Sequence, residues 1–198
     1  MTLPLIWFDI AARATVALCW MVLGVAALLR WKPWHDPERK RDPAEFLGLI
    51  VQGVAHAMVW LIRRQRFTPI VPLSAPIEIA LAVVSIALGI GSVWMILAAI
   101  RTLGKQWSVV ARLCEAHKLV TEGPYRVVRH PIYAANFGLL LATGLAFSRI
   151  QPLVIAILVL WIGTAIRMRK EEKLLCEAFG QEFEDYARRV PALFPRLH

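Results

Sequence analysis

One stretch of the sequence, from Ile77 to Ile100, contains no charged residue after Glu78. A helix needs roughly 20 residues to cross the ~30 Å hydrocarbon core of a bilayer, so this stretch is long enough and apolar enough to span a membrane. The composition agrees, because 58% of the 198 residues are apolar, whereas about 45–50% is usual in soluble domains. A bilayer is therefore the expected environment of the chain.

Four further apolar runs are separated by short polar segments. They extend from Trp7 to Leu29, from Phe46 to Ile62, from Pro131 to Phe147 and from Pro152 to Ile166. Backbone polar groups inside a bilayer must be bonded within the segment, which favours helices. The sequence thus predicts an all-α polytopic integral membrane protein of about five transmembrane helices, whose last two form a helical hairpin. The polar segments are too short to fold separately, which indicates a single domain over residues 1–198.

The positive charges are distributed unevenly between the loops. Of the 23 Lys and Arg residues, 18 fall in the three segments that an odd number of spans places on one side of the membrane. By the positive-inside rule that side is the cytoplasm, so the N-terminus would face outward and the C-terminus inward. The net charge of +9 is then explained by topology and by contact with anionic membrane lipids, and we expect no nucleic-acid partner.

The C-terminal tail from Met168 to Val190 has the spacing of a helix with one apolar face. Its apolar positions recur every three or four residues: Leu175, Phe179, Phe183, Tyr186, Ala187 and Val190. This pattern is typical of an amphipathic helix, which we expect to lie against the cytoplasmic face of the bundle. The alternative is a surface helix that only anchors the chain to lipid.

Ionisable and hydrogen-bonding residues are dense between positions 105 and 133. Gly123 and Pro124 mark a turn, and Pro131 suits the first turn of the next helix, where its missing N–H group would be unpaired anyway. His130 therefore falls at a helix start, where it and the free N–H groups make a docking place for an anion such as a carboxylate. The alternative is that the arginines of this segment only set the topology and meet lipid headgroups.

Arg167 and Glu171 lie four residues apart at the other end of the hairpin, on one face of a helix that leaves the membrane. A helix salt bridge between them is the simplest interpretation. A tight hairpin, however, returns the end of its second helix to the start of its first. Both side chains should therefore approach His130 and Tyr133, a prediction that follows from the topology alone.

Two polar pairs lie within the apolar runs. Asp9 and Arg13 are four residues apart in the first run, where they can pair or reach the interface. Gln52 and His56 share one face of the second run, and polar groups in spans usually face the bundle interior and bond to neighbouring helices. A proton path or a ligand contact is the alternative for this second pair. The histidines of residues 105–133 lack a recognisable metal-ligand spacing, and no metal site is expected.

Three blocks of the sequence stand out by their order. They are His117-Lys-Leu-Val-Thr-Glu-Gly-Pro-Tyr-Arg-Val-Val-Arg-His-Pro-Ile-Tyr133, then Arg167-Met-Arg-Lys-Glu-Glu172, and then Phe179-Gly-Gln-Glu-Phe-Glu-Asp-Tyr186. In this order they resemble the isoprenylcysteine carboxyl methyltransferase family, over roughly residues 101–196. The resemblance implies a single membrane methyltransferase domain, in which residues 1–100 form three spans. Residues 101–198 would then form the cofactor-binding region with the hairpin and the C-terminal helix.

The resemblance also implies a cofactor, an acceptor and their contacts. The cofactor would be S-adenosylmethionine from the cytosol, and the acceptor a lipidic or prenylated small molecule or protein, most simply an isoprenylcysteine carboxylate. Glu171 would bind the cofactor, and Arg167 would be the catalytic residue that contacts the acceptor. The first block would line the cofactor pocket with nine residues: His117, Lys118, Leu119, Val120, Tyr125, His130, Pro131, Ile132 and Tyr133. One departure is Lys170, where some members carry another acid.

Three other functions are compatible with the same residues. Phospholipid amine N-methyltransferases look similar in the C-terminal blocks, and their acceptor would need a base such as Glu171 or Glu172. Sterol reductases share a related His-Pro-x-Tyr end, so an NADPH-dependent membrane reductase is a second alternative. The third is a non-enzymatic membrane scaffold whose basic loops meet lipid headgroups.

Overall fold

The computed structural model describes residues 3–29, 43–65, 68–70, 74–107 and 118–194. Within these ranges the regular structure is helical. It consists of α1 (Leu3–Leu29), α2 (Pro43–Leu61), α3 (Ala75–Leu103), α4 (Pro131–Phe147), α5 (Ile150–Phe179) and α6 (Gln181–Arg189). Two 3₁₀ turns, Gly104–Gln106 and Gly123–Arg126, lie between α3 and α4. The predicted all-α fold is confirmed.

Three of the described helices, α1, α3 and α5, are long and apolar enough to cross a membrane, whereas α2 and α4 are apolar but shorter. All five predicted runs are therefore helical, and the count of five complete spans stays a prediction. Large apolar side chains point outward, as with Leu29, Leu61 and Trp94, which are 82%, 80% and 66% exposed. Polar side chains such as Ser85 and Thr143 are instead fully buried. This distribution is that of a membrane protein, whose polar groups turn to the bundle interior.

The helices pack in pairs around the hairpin. α2 lies along α5, α3 lies along α4, and α1 packs against α3. The predicted hairpin of α4 and α5 is confirmed, with a link of only two residues. A core of fully buried side chains, among them Ala55, Leu140 and Leu160, lies between α2, α4 and α5. The start of α4 and the charged end of α5 are consequently held at the same end of the bundle.

A charged network closes the opposite end, where α1 begins. Arg13 Nε donates to Asp9 Oδ2 at 2.8 Å, and Arg64 Nη2 donates to Asp9 Oδ1 at 2.5 Å. The pairing of Asp9 with Arg13 is thus confirmed, and Arg64 is a third member that the sequence did not indicate. Arg64 also donates to the carbonyl of Ala146 at 3.2 Å, which ties the segment after α2 to the end of α4.

The tail differs from the single amphipathic helix expected from Met168 to Val190. α5 continues without a break beyond its apolar stretch, so that the charged residues from Arg167 to Phe179 belong to the same helix as the last predicted span. The helix ends at Gly180, whose φ of +49° is a left-handed conformation that glycine tolerates and a helix does not. α6 then forms a separate helix whose apolar face is buried through Phe183 and Tyr186.

Candidate functional site

The hairpin brings the charged end of α5 to the first turn of α4. The Tyr133 hydroxyl donates a hydrogen bond to Glu171 Oε1 at 2.5 Å, and His130 Nδ1 lies 3.3 Å from Glu171 Oε2. The guanidinium carbon of Arg167 lies 5.2 Å from the centroid of the Tyr133 ring, which is a cation–π distance. The predicted approach of Arg167 and Glu171 to His130 and Tyr133 is confirmed.

His130 precedes the first residue of α4 and is 5% exposed. Its ring stacks on that of Tyr133, with centroids 5.5 Å apart and planes at 24°. Nδ1 faces Glu171, and Nε2 lies 3.1 Å from Glu172 Oε1; only a doubly protonated ring can donate to both carboxylates. Burial by itself lowers the pKa of His130, but the hydrogen bonds and charges of the two glutamates outweigh it and raise the pKa above its ordinary value. The charged ring is therefore favoured.

Glu172 is held by two cations, although the sequence did not single it out as a site residue. Arg129 donates to Glu172 Oε1 from Nε at 3.0 Å and from Nη2 at 2.7 Å, and His130 meets the same oxygen. Burial raises the pKa of Glu172, but the hydrogen bonds and charges of His130 and Arg129 outweigh it and lower the pKa to about 2. The sequence pointed to Glu172 only as one of two candidate bases for an amine acceptor, whereas both glutamates contact His130.

The end of α6 and the residues after it lie across the start of α4. Arg129 Nη1 donates to two carbonyl oxygens at this end, those of Ala187 at 2.9 Å and Val190 at 2.5 Å. The backbone N–H groups of Arg129 and His130 donate to the next two carbonyl oxygens at 2.8 and 2.9 Å. Leu193 then enters the core. Arg129 thus joins Glu172 to the tail, a role that only the folded structure reveals.

Tyr125 lies in the second 3₁₀ turn and is 9% exposed. The turn requires Gly123, because its φ is +56° and a Cβ there would lie 2.8 Å from Thr102 Oγ1. The Tyr125 carbonyl accepts a hydrogen bond from the Tyr186 hydroxyl at 2.6 Å, which fixes the turn against α6. Burial raises the pKa of Tyr125, and the negative charge of Glu171 raises it further, so its phenol stays neutral.

The other residues of the implied cofactor pocket lie on either side of this turn. Lys118 is exposed, and its backbone N–H donates to Gln106 Oε1 at 2.7 Å. Pro131 is buried at the start of α4, and His117 lies outside the described residues. Three residues are half-buried: Leu119, Val120 and Ile132. The implied pocket therefore has one part in direct contact with the glutamates of α5 and another in the segment before the turn.

Gln52 and His56 differ in their surroundings. Gln52 bonds two side chains of α5, as predicted, with Thr164 Oγ1 at 3.0 Å and Arg167 Nη1 at 3.1 Å. For His56 the prediction is wrong: Nδ1 bonds the Gln52 carbonyl of its own helix at 3.0 Å, and Nε2 has no hydrogen-bond partner among the described residues. The His56 ring instead packs edge-on against Trp20 at 5.2 Å, because an aromatic partner from α1 occupies that face.

Several known proteins resemble about half of this chain. The nickel-cobalt-cadmium resistance protein NccN of Alcaligenes xylosoxydans xylosoxydans is 38% identical over 97 residues, which are 48% of this chain and 45% of that protein. A probable protein-S-isoprenylcysteine O-methyltransferase of Oryza sativa subsp. indica is 38% identical over 101 residues, 49% of this chain and 52% of that protein. The protein-S-isoprenylcysteine O-methyltransferase of Schizosaccharomyces pombe is 34% identical over 89 residues, 45% of this chain and 38% of that protein.

These matches reach about half the length of the relatives or less. The match to a protein family covers residues 83–177, which include His130, Tyr133, Arg167, Glu171 and Glu172. The family whose model matches this segment is the isoprenylcysteine carboxyl methyltransferase family, to which residues 83–177 are therefore similar.

Proposed function

We propose that this protein is a membrane methyltransferase that uses S-adenosylmethionine to methylate the carboxylate of a lipidic acceptor of the isoprenylcysteine type. The observation that carries the proposal is the meeting of His130 and Tyr133 of the first charged block with Arg167 and Glu171 of the second. Both blocks lie within the segment that matches the family. Cations, carboxylates and an aromatic ring are thereby concentrated at one end of the bundle.

The residues present fit the cofactor, which carries a carboxylate, an ammonium group and a sulfonium. His130, with the start of α4, would hold the carboxylate, and Glu171 would hold the amino or hydroxyl groups. The rings of Tyr125 and Tyr133 would shield the sulfonium by cation–π contact. The pocket would be completed by the rest of the first block: His117, Lys118, Leu119, Val120, Pro131 and Ile132. When bound, the cofactor would supply a methyl group on positively charged sulfur.

Arg167 is the residue proposed to contact the acceptor. Arg167 is 8% exposed and its guanidinium faces the Tyr133 ring, so a carboxylate that pairs with it would be shielded from water. A planar guanidinium offers two parallel donors to a carboxylate, which fixes the orientation of the acceptor. Holding the attacking oxygen at a fixed place and excluding water are the main demands of an in-line methyl transfer.

The low basicity of Glu172 and the hydrogen bond that Glu171 already accepts favour a carboxylate acceptor over a phospholipid amine. An amine must lose a proton during transfer, so it needs a general base. Glu172 is a poor base, because Arg129 and His130 hold its pKa at about 2, and Glu171 already accepts the Tyr133 hydrogen bond. A carboxylate acceptor is already ionised at neutral pH and needs no base.

The proposal includes a topology. Five spans with the N-terminus outside would place the start of α4 and the charged end of α5 in the cytoplasm, from which the cofactor would be drawn. This orientation rests on the uneven distribution of Lys and Arg between the loops. The acceptor would then arrive from the bilayer, and the whole chain would act as one domain.

The test is transfer of labelled methyl groups from S-adenosylmethionine to S-farnesylcysteine by the purified protein in liposomes. Arg167→Ala should abolish transfer while the affinity for S-adenosylmethionine is kept, and Arg167→Lys should lower transfer strongly because lysine cannot donate two parallel bonds. Arg64→Lys is a matched control, since Arg64 is equally buried at the opposite end of the bundle. Unchanged transfer by Arg167→Ala would refute the assigned role, and binding of NADPH in place of S-adenosylmethionine would refute the proposed function.

A further inference from the structure

α2 and α5 approach each other at two glycines, each followed four residues later by a polar residue. Gly48 precedes Gln52, and Gly163 precedes Arg167. A Cβ at Gly163 would lie 2.9 Å from the Gly48 carbonyl oxygen, and a Cβ at Gly48 would lie 2.5 Å from Arg167 Cγ. The two glycines therefore let the helix backbones come close, and Gly48 leaves room for the stem of Arg167 to lie along α2.

The close approach places the Arg167 guanidinium beside a buried amide. Arg167 Nη1 donates to Gln52 Oε1 at 3.1 Å, and Gln52 Nε2 donates to Thr164 Oγ1 at 3.0 Å. Arg167, Gln52 and Thr164 are 8%, 5% and 1% exposed. An arginine side chain only donates, so the amide oxygen must face Arg167 and the amide nitrogen must face Thr164. The chemistry of the three groups fixes the direction of both bonds.

We propose that Gln52 is a positioning residue that holds the guanidinium of Arg167 against α2, in the orientation in which Arg167 receives the acceptor carboxylate. The inference rests on the proposed function of Arg167. Without the amide, the acceptor itself would have to order a long flexible side chain, which weakens its binding. Thr164 takes part indirectly, because it orients the amide of Gln52. The short helix α2, which carries none of the three charged blocks, thereby contributes to acceptor recognition.

Gln52→Leu removes the hydrogen bond while leaving Arg167 in place. We expect the KM for the acceptor to rise about 10-fold, the effect of losing one hydrogen bond to a charged group. The Kd for S-adenosylmethionine should stay unchanged, because His130 and Glu171 are untouched. Gln52→Glu keeps an oxygen that accepts from Arg167 but adds a negative charge that repels the acceptor carboxylate, so its KM for the acceptor should also rise.

Two buried threonines provide a matched pair of variants. Thr164 accepts from Gln52 Nε2 at 3.0 Å, and Thr143 accepts from Trp20 Nε1 at 3.0 Å between α1 and α4. Both are at most 1% exposed, so valine at either site removes one hydrogen bond between helices. Thr164→Val should raise the KM for the acceptor several-fold, whereas Thr143→Val should leave it unchanged.

The experiment measures methyl transfer to S-farnesylcysteine and binding of S-adenosylmethionine for the wild type and these four variants in liposomes. A rise in acceptor KM in the two Gln52 variants and in Thr164→Val, without a rise in Thr143→Val and without a change in the Kd for S-adenosylmethionine, would support the inference. The inference would be overturned if the acceptor KM of Gln52→Leu equalled that of the wild type. It would also be overturned if Thr143→Val raised the acceptor KM as much as Thr164→Val. Absence of transfer by the wild type would instead refute the proposed function, and this inference with it.

Discussion

Replacing Glu172 by glutamine removes the charge that joins Arg129 to His130 while keeping the shape of the side chain. The contacts lower the pKa of Glu172 from 4.5 to about 2. Since one pKa unit corresponds to about 1.4 kcal/mol, the contacts stabilise the charged form by about 3.5 kcal/mol at most. The side chain is 30% exposed, and solvent screening reduces the expected loss to about 1–2 kcal/mol.

A carboxyl group whose pKa is lowered on folding stabilises the protein fully above its unfolded pKa, and the contribution is lost as the pH falls through the folded pKa. For Glu172 this window lies between pH 4.5 and about 2. At pH 7 the Tm of Glu172→Gln should therefore be lower than that of the wild type by about 2–8 °C. The difference should shrink as the pH falls below 4.5.

Thermal unfolding followed by circular dichroism in detergent measures this difference. Glu177→Gln is the control on the same helix, because Glu177 pairs with Lys173 only at 3.7 Å and 58% of its side chain is exposed. Its Tm should change by less than about 2 °C. Equal shifts in the two variants would refute the reasoning. A shift for Glu172→Gln that stays the same down to about pH 3 would refute it as well.

Two further predictions concern stability. The pKa of His130 is raised above 6.5 on folding, so its contribution is complete below that pH and is lost as the pH rises through the raised value. As the pH rises above 6.5, the Tm of His130→Gln should consequently fall less than that of the wild type, and parallel curves would contradict this. Gly123→Ala should lower the Tm by several degrees, because alanine is strained at φ +56° and its Cβ would lie 2.8 Å from Thr102 Oγ1. Gly91→Ala, where a Cβ would meet no described atom within 4 Å, should leave the Tm unchanged or higher, and a similar loss in both would contradict the role of Gly123.

Much of the fold was predictable because it depends on local or periodic features. The length and polarity of each apolar run determine where a helix can cross the bilayer, and the two-residue link between α4 and α5 makes their hairpin unavoidable. The approach of Arg167 to Tyr133 can then be predicted without side-chain detail, because any tight hairpin brings the end of its second helix close to the start of its first. The same reasoning accounts for Glu171 and His130.

The features that were missed depend on partners that are distant in sequence. Asp9 bonds Arg64, which lies 55 residues away, and the neighbouring Arg63 is equally basic, so no local pattern selects one over the other. Arg129 bonds carbonyl oxygens of the tail. Every residue has a carbonyl group, so the sequence does not show which of them accept hydrogen bonds. Gly180 permits a break in a helical pattern but does not demand one, which is why the tail was predicted as one helix.

The hydrogen bonds between the tail and the start of α4 set an order of assembly. A ribosome releases the chain from its N-terminus, so α4 and α5 are complete before residues 190–193 exist. Until then, the N–H groups of Arg129 and His130 lack the carbonyl oxygens that they bond in the folded protein. The proposed cofactor site therefore acquires these two hydrogen bonds last, after all six described helices have been synthesised.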